Sequence, residues 1–189
     1  MIKTRPYRQI AGRYAVLVAV LTAFCASPAG AQHANQAGLQ FGDTHFVLRG
    51  SSENRLEFLP AGELDEKNWS EMLTLVYVPA ATATADLVWV KSNILSHYQG
   101  SGTIYRSEQI ERAEGGDHLI VAQIKRGEII EVIFTRILMY DEQGLAVVFS
   151  HRFYGEEQFD VVDAWFDVNS EGVEATLLGL HEFPLAEQG

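Results

Sequence analysis

Apolar and polar residues change period several times along this chain, and each change marks an element. From Thr44 the period is two. Phe46 and Leu48, then Leu56 and Phe58, alternate with polar neighbours as half-buried strands do. Gly50-Ser51-Ser52-Glu53-Asn54 separates the two with turn chemistry, and Pro60-Ala61-Gly62 ends the second. Asn68-Trp69-Ser70-Glu71-Met72 leads into the strand-like run from Leu73 to Val78, stopped by Pro79. The period then becomes helical. Leu87, Val90, Ile94 and Tyr98, widened by Val88 and Leu95, predict a helix over 82–98. Thr82 or Thr84 can cap its start, Asp86 suits its N-terminus, and Gly100 can end it.

Strands return at 102–110 and 118–126, around a turn at Gly115-Gly116-Asp117. The clearest hairpin joins 129–140 to 145–154 around Asp141-Glu142-Gln143-Gly144. If Tyr140 pairs with Leu145, one face carries Val132, Phe134, Leu138 and Tyr140 beside Leu145, Val147, Phe149 and Phe153. The other carries Ile129, Ile133, Ile137 and Met139 beside Ala146 and Val148. Both faces are apolar, so both require cover, and the hairpin belongs inside a sheet. In this register Glu131 is the diagonal neighbour of Arg152, at salt-bridge distance.

Phe159, Val162, Phe166, Val173, Leu177 and Leu180 fall on one side of a helix and keep that phase across Gly172. One helix over about 156–180, with Gly172 as a kink point, is therefore expected. The order is strands, helix, strand meander, helix. It predicts an α+β fold: an antiparallel sheet with helices on both faces, an α-β-α sandwich over residues 44–185. Residues 32–43, small and polar, are expected to form a flexible leader.

The first 31 residues have a different pattern. Lys3, Arg5, Arg8 and Arg13 precede an apolar run from Tyr14 to Phe24, followed by Ala29-Gly30-Ala31. These are the three parts of a cleaved secretory signal peptide. The run is about half of the roughly 20 residues that a bilayer span needs, so no membrane span is expected. Cys25 follows the bulky Phe24 rather than a small residue, which argues against lipid attachment. Cleavage after Ala31 would leave 158 of the 189 residues, released into the periplasm or the medium.

Cleavage also changes the charge. The chain has 14 Lys and Arg against 25 Asp and Glu, a net −11; without the four basic residues of the signal peptide, ten oppose 25 and the net is −15. Nucleic acid and anionic membrane surfaces need positive charge, so the chain is a poor candidate for either, and no nucleic-acid partner is expected. A basic partner, expected to be another envelope or secreted protein, fits better. The only cysteine leaves with the signal peptide, so the domain must rely on its core.

Leu56-Glu57-Phe58-Leu59-Pro60-Ala61-Gly62-Glu63, then Asn68-Trp69-Ser70-Glu71-Met72-Leu73-Thr74, resemble segments of small exported bacterial proteins of uncharacterised function. The element order, and the hairpin ending Phe149-Ser150-His151-Arg152-Phe153-Tyr154 before a last helix, are similar to the Mog1/PsbP-like fold. The resemblance covers most of 44–185 and implies an α-β-α sandwich. Members of that fold serve as binding and accessory proteins in unrelated settings, so it implies no particular function.

Three constellations carry candidate chemistry. Glu156, Asp160, Asp163, Asp167, Glu171 and Glu174, spaced 4, 3, 4, 4 and 3, line one side of the last helix. Like charges at that spacing are mildly destabilising. The plain reading is a solvated flank; the functional one is a docking strip for a basic partner, or a weak divalent-cation site. Arg136 and His151 share a face with Phe134, Phe149 and Phe153. Together they could line a ligand pocket, although a rim position with the charged tips in water is preferred. Trp69 reads as a core plug more readily than as a recognition point.

The six histidines show no metal-ligand spacing, and no tight acidic loop, P-loop, dinucleotide fingerprint or nucleophile elbow is present. No catalytic residue, metal or cofactor is therefore assigned. The expectation is an exported, non-catalytic binding or accessory protein. The alternatives are a small hydrolase with a site around His151 and Arg136, and a carrier of a cation or small ligand.

Overall fold

The structure is a computed structural model that describes residues 38–65, 67–112, 115–155 and 159–184. Residues 1–31, whose pattern suggests a signal peptide, lie outside the described residues. Eight strands form one antiparallel sheet: β1 (Gly38–Phe41), β2 (Thr44–Ser52), β3 (Arg55–Pro60), β4 (Glu71–Val78), β5 (Gly102–Arg112), β6 (Gly115–Arg126), β7 (Ile129–Tyr140) and β8 (Gln143–Tyr154). Helix α1 (Leu87–Gln99) follows a short 3-10 turn at Thr84–Asp86, and α2 (Phe159–Gly179) follows the last strand. The strand order is β1-β2-β3-β4-β8-β7-β6-β5. The chain thus lays down two meanders and closes the sheet by setting β8 beside β4, from Glu71 opposite His151 to Val78 opposite Gly144. The fold is α+β.

Two expectations change at the strand ends. The last part of the expected leader is a strand, because Leu39 and Phe41 alternate with Gly38 and Gln40 and both are buried. Phe41 stacks on Phe149 with centroids 4.9 Å apart. The ordered domain therefore begins by Gly38, not at Thr44. Gly115, Gly116 and Asp117 are not a turn. Pairing of β5 with β6 continues to Arg112 opposite Gly115, which puts Asp117 inside β6.

The hairpin register is also tighter than expected. Tyr140 pairs with Gln143, leaving only Asp141 and Glu142 in the turn. Both have positive φ, 50° and 62°, the geometry of a type I′ turn, whose twist matches that of the strands. The shift moves every partner by two positions, so side chains keep their faces. Glu131 becomes the direct partner of Arg152 rather than its diagonal neighbour. Its Oε1 accepts from Arg152 Nε at 2.7 Å and Nη2 at 2.6 Å.

One core cluster joins Phe46, Phe58, Leu73, Leu75, Val121, Phe134, Val147 and Phe149 to Val162 and Leu177 of α2. Phe166, Val173 and Leu180 pack against it, so the periodicity of the last helix identified the buried stripe. The buried stripe of α1 is Leu87, Val90, Ile94 and Tyr98, as its spacing requires. The Tyr98 hydroxyl meets Thr135 Oγ1 at 2.9 Å, and burial pushes its pKa up to about 12.

The turn supplies a first test. Residues other than glycine are disfavoured at φ near 60°, so Glu142→Gly should raise the unfolding free energy by about 1 kcal/mol in urea titration.

Candidate functional site

The outer side of α2 carries the acidic strip. Asp160, Asp163, Asp167 and Glu171 are exposed, and Glu156 lies outside the described residues. Glu174 is different. It forms an ion pair with Arg106 of β5 and is only part-exposed, so it ties the helix to the sheet. Asp163 lies close enough to Tyr105 to add to the effect of burial in raising that hydroxyl's pKa. The strip therefore has four solvent-facing carboxylates above one structural carboxylate.

A second, apolar arc runs beside the strip. Val161, Ala164, Val168, Gly172 and Ala175 recur at helical spacing and all are exposed. Val161 is 56% and Val168 80% exposed. A surface helix normally gives its outward arc to polar residues. Here the arc is small and apolar, flanked on one side by carboxylates. The signal was present in the sequence, as a second apolar phase out of step with the buried stripe.

Beneath this face, the two residues expected to share a pocket are apart. Across the hairpin Arg136 pairs with Val147 and His151 with Val132. That is four positions along β8, about 14 Å at strand rise. Arg136 is not at a rim, since its side chain is 4% exposed. Asp117 Oδ2 accepts from both its Nε and its Nη2 at 2.8 Å. Its Nη1 donates to the carbonyls of Leu177 at 3.1 Å and Leu180 at 2.6 Å, where α2 ends. Arg112 Nη2 adds a bond to the Leu178 carbonyl at 3.2 Å, and its Nε one to Asp117 at 3.2 Å. The last carbonyls of a helix lack internal partners and carry partial negative charge. Two arginines satisfy them here. Desolvation lowers the Arg136 pKa, and Asp117 opposes that shift.

His151 lies nearer the start of α2. Its ring stacks on Trp165 at 4.3 Å, and Nδ1 is 3.3 Å from Glu71 Oε1 without hydrogen-bond alignment. Glu71 and Trp165 had not been singled out from the sequence. Both are distant in the chain and meet His151 only through strand pairing and helix docking.

Trp69 is the core plug expected. It is buried with Leu59 and Met72, and the Arg152 guanidinium lies 3.6 Å above its ring. The Tyr154 hydroxyl donates to its carbonyl at 2.7 Å.

Beside Glu71 an open cleft of about 570 Å³ is lined by Thr44, Pro60, Glu63, Asp65 and Ser70 among others. Its carboxylates are occupied by their own loop. Glu63 accepts from Ser70 N at 2.9 Å and Oγ at 3.1 Å. Asp65 accepts from the Asn68 amide side chain at 2.8 Å and the Lys67 backbone at 2.9 Å, bonds that hold its pKa below the usual carboxylate range. Among the described residues no three His, Cys, Asp or Glu side chains converge as metal ligands.

The neighbourhood of Asp117 carries a pH signature. His118 is buried and its Nδ1 has no hydrogen-bond partner. Burial first, then Lys91, lowers its pKa from 6.5 against the pull of Asp117. Burial and Arg126 likewise lower that of His97. A histidine whose folded pKa is depressed binds fewer protons folded than unfolded, so its stabilising contribution is complete above the unfolded value. It is lost as pH falls from there toward the folded value. Unfolding free energy should therefore decline as pH falls below about 6.5, the ordinary histidine value, and His118→Gln should flatten part of that decline in urea titrations.

No family model and no curated protein sequence matches the chain. Among solved structures it is similar to a Pseudomonas aeruginosa protein of unknown function, at 10% identity and a TM-score of 0.46 over 79% of this chain and 99% of that one. It is also similar to the Saccharomyces cerevisiae Ran-binding protein Mog1p, at 9% identity and a TM-score of 0.43 over 68% of this chain and 83% of that one. The Mog1 likeness read from the sequence is thus found again among solved structures.

Proposed function

We propose that this chain is an exported, non-catalytic accessory protein that binds a basic, amphipathic segment of another envelope or secreted protein along the outer face of α2. The observation that carries this reading is the exposed apolar stripe of Val161 and Val168 running beside Asp160, Asp163, Asp167 and Glu171. Apolar area that stays in water through folding is available to a partner. The carboxylates alongside select a partner with Lys or Arg flanking its own apolar face, and steer its approach. Neither helix propensity nor core packing accounts for both features.

Export rests on residues 1–31, whose basic, apolar and small-residue order suits release into the periplasm or the medium. The architecture proposed is an α-β-α sandwich with one helix on each face of the sheet. Its support is that Thr135 bonds α1 through Tyr98, whereas its neighbour Arg136 bonds α2, and adjacent strand residues point to opposite faces. Among the described residues no helix is long and apolar enough to cross a membrane.

The test is titration with a synthetic amphipathic peptide bearing Leu on one side and Lys on the other. Asp160→Asn with Asp167→Asn should weaken binding roughly tenfold at low salt, with the difference shrinking as salt is added. Val168→Ser should weaken binding at every salt concentration. Equal affinity for wild type and both variants would exclude this face as the docking site.

A further inference from the structure

A second surface follows from the sheet, independently of α2. The two ends of the sheet differ sharply. β1 has four residues, whereas β5 has eleven and pairs with β6 alone among the described strands. Most of β5 is exposed. A long edge strand presents a row of unpaired backbone donors and acceptors, and proteins usually protect one with lysine, proline, a bulge or short length. β5 contains no lysine and no proline, and its one irregularity lies between Ile104 and Arg106. From Arg106 to Arg112 its pairing with β6 is unbroken, leaving a straight template on the other side.

We propose that the end of this segment, Glu108–Arg112, pairs antiparallel with the same residues of a second copy of the chain, about a two-fold axis at Ile110. Charge is the first argument for a second copy. The chain has a net charge of −11, so most of its surface repels its own kind. The paired residues are nearly balanced, with Arg112 against Glu108 and Glu111, and each Arg112 falls opposite the other copy's Glu108. Two copies can approach edge to edge here with little opposition.

Register is the second argument. An antiparallel pair with two-fold symmetry sets one residue opposite itself and matches the others around it. Centring on Glu108 or Glu111 places two carboxylates together. Centring on Gln109 opposes Arg106 to the second copy's Arg112. Centring on Ser107 brings Arg106 to Glu108 but then runs into the bulge. There the parity of pairing with β6 changes, so Ile104 and Ile110 lie on opposite faces and do not match. Centring on Ile110 sets that residue on its own copy, Glu108 opposite the second copy's Arg112, and Gln109 opposite its Glu111. Apolar and opposite-charge cross-strand pairs of this kind are favourable. Arg112 is still available, since its bonds to Asp117 and Leu178 use only Nε and Nη2.

The experiment uses the chain expressed from its full sequence with Cys25→Ser, so that one introduced cysteine reports alone. Ile110→Cys should form a disulfide-linked dimer on mild oxidation, because opposed Cβ atoms lie about 5 Å apart. Glu108→Cys should not, because its own copy is displaced by about 13 Å along the strand. Sedimentation equilibrium supplies a second readout without cysteine. Glu108→Lys puts Lys opposite Arg twice and should raise the dimer dissociation constant by roughly tenfold or more; because it also breaks the Glu108–Arg106 pair at 3.5 Å, a circular dichroism spectrum is recorded to show that the fold is kept. A wild-type chain that sediments as a monomer up to about millimolar concentration would overturn the proposal. So would equal cross-linking at positions 108 and 110.

Discussion

The last turn of α2 is held by a buried charge. Arg136 lies in the middle of β7 with its guanidinium almost out of water, a position that costs several kcal/mol unless the charge is paired and every donor is used. Asp117 supplies the opposite charge and accepts from Nε and Nη2, and the carbonyls at the end of α2 accept from Nη1. The consequence is mutual. Withdrawing α2 would strip Nη1 of its acceptors, and removing Arg136 would take the strongest donors from Asp117 and from the carbonyl of Leu180, leaving Asp117 to Arg112 alone. Apolar packing of Val162, Phe166, Val173 and Leu177 brings the helix to the sheet, and this polar node fixes where it ends.

That fixed position decides which arc of α2 faces outward. With the stripe around Leu177 committed to the core and Glu174 committed to Arg106, Val161, Val168 and the carboxylates of the strip have nowhere to point but water. A docking face on a rigid helix needs no ordering when a partner arrives, so less of the binding free energy is lost to conformational entropy. β5 takes part in the same arrangement from the other side. Arg106 and Arg112 hold α2 by their inner contacts while lying on the exposed edge of the sheet.

Much of the sheet was legible because its residues obey simple periods. The hairpin of β7 and β8 shows both the strength and the limit of such reading. Alternation assigned Phe134 and Phe149 to one face and Ile133 and Val148 to the other, and a register error of two positions left those assignments intact. The error arose because Asp141 and Glu142 both adopt positive φ, a geometry that neither residue type announces. β1 was hidden by its brevity, with Leu39 and Phe41 the only apolar residues in a small, polar segment. Asp117 was hidden by its neighbours, since two glycines before an aspartate read as a turn. Without Asp117 in a strand nothing in the sequence points to the partner of Arg136, and an unpaired arginine on an apolar face suggests a rim. His151 lay beyond local reading for a related reason. Its partners Glu71 and Trp165 come from a strand 80 residues earlier and from the next helix, joined only by topology. The outer apolar arc of α2 was readable in principle, but the stronger inner stripe masked it.

Hydrogen exchange on the Arg136→Met variant tests most directly whether the buried guanidinium positions α2. If it does, amides in the last two turns of α2, around Val173 to Gly179, should lose protection by at least tenfold relative to wild type, while those in the middle of β7 and β8 keep theirs. Unchanged protection in α2 would show that apolar packing alone holds the helix and would contradict the account.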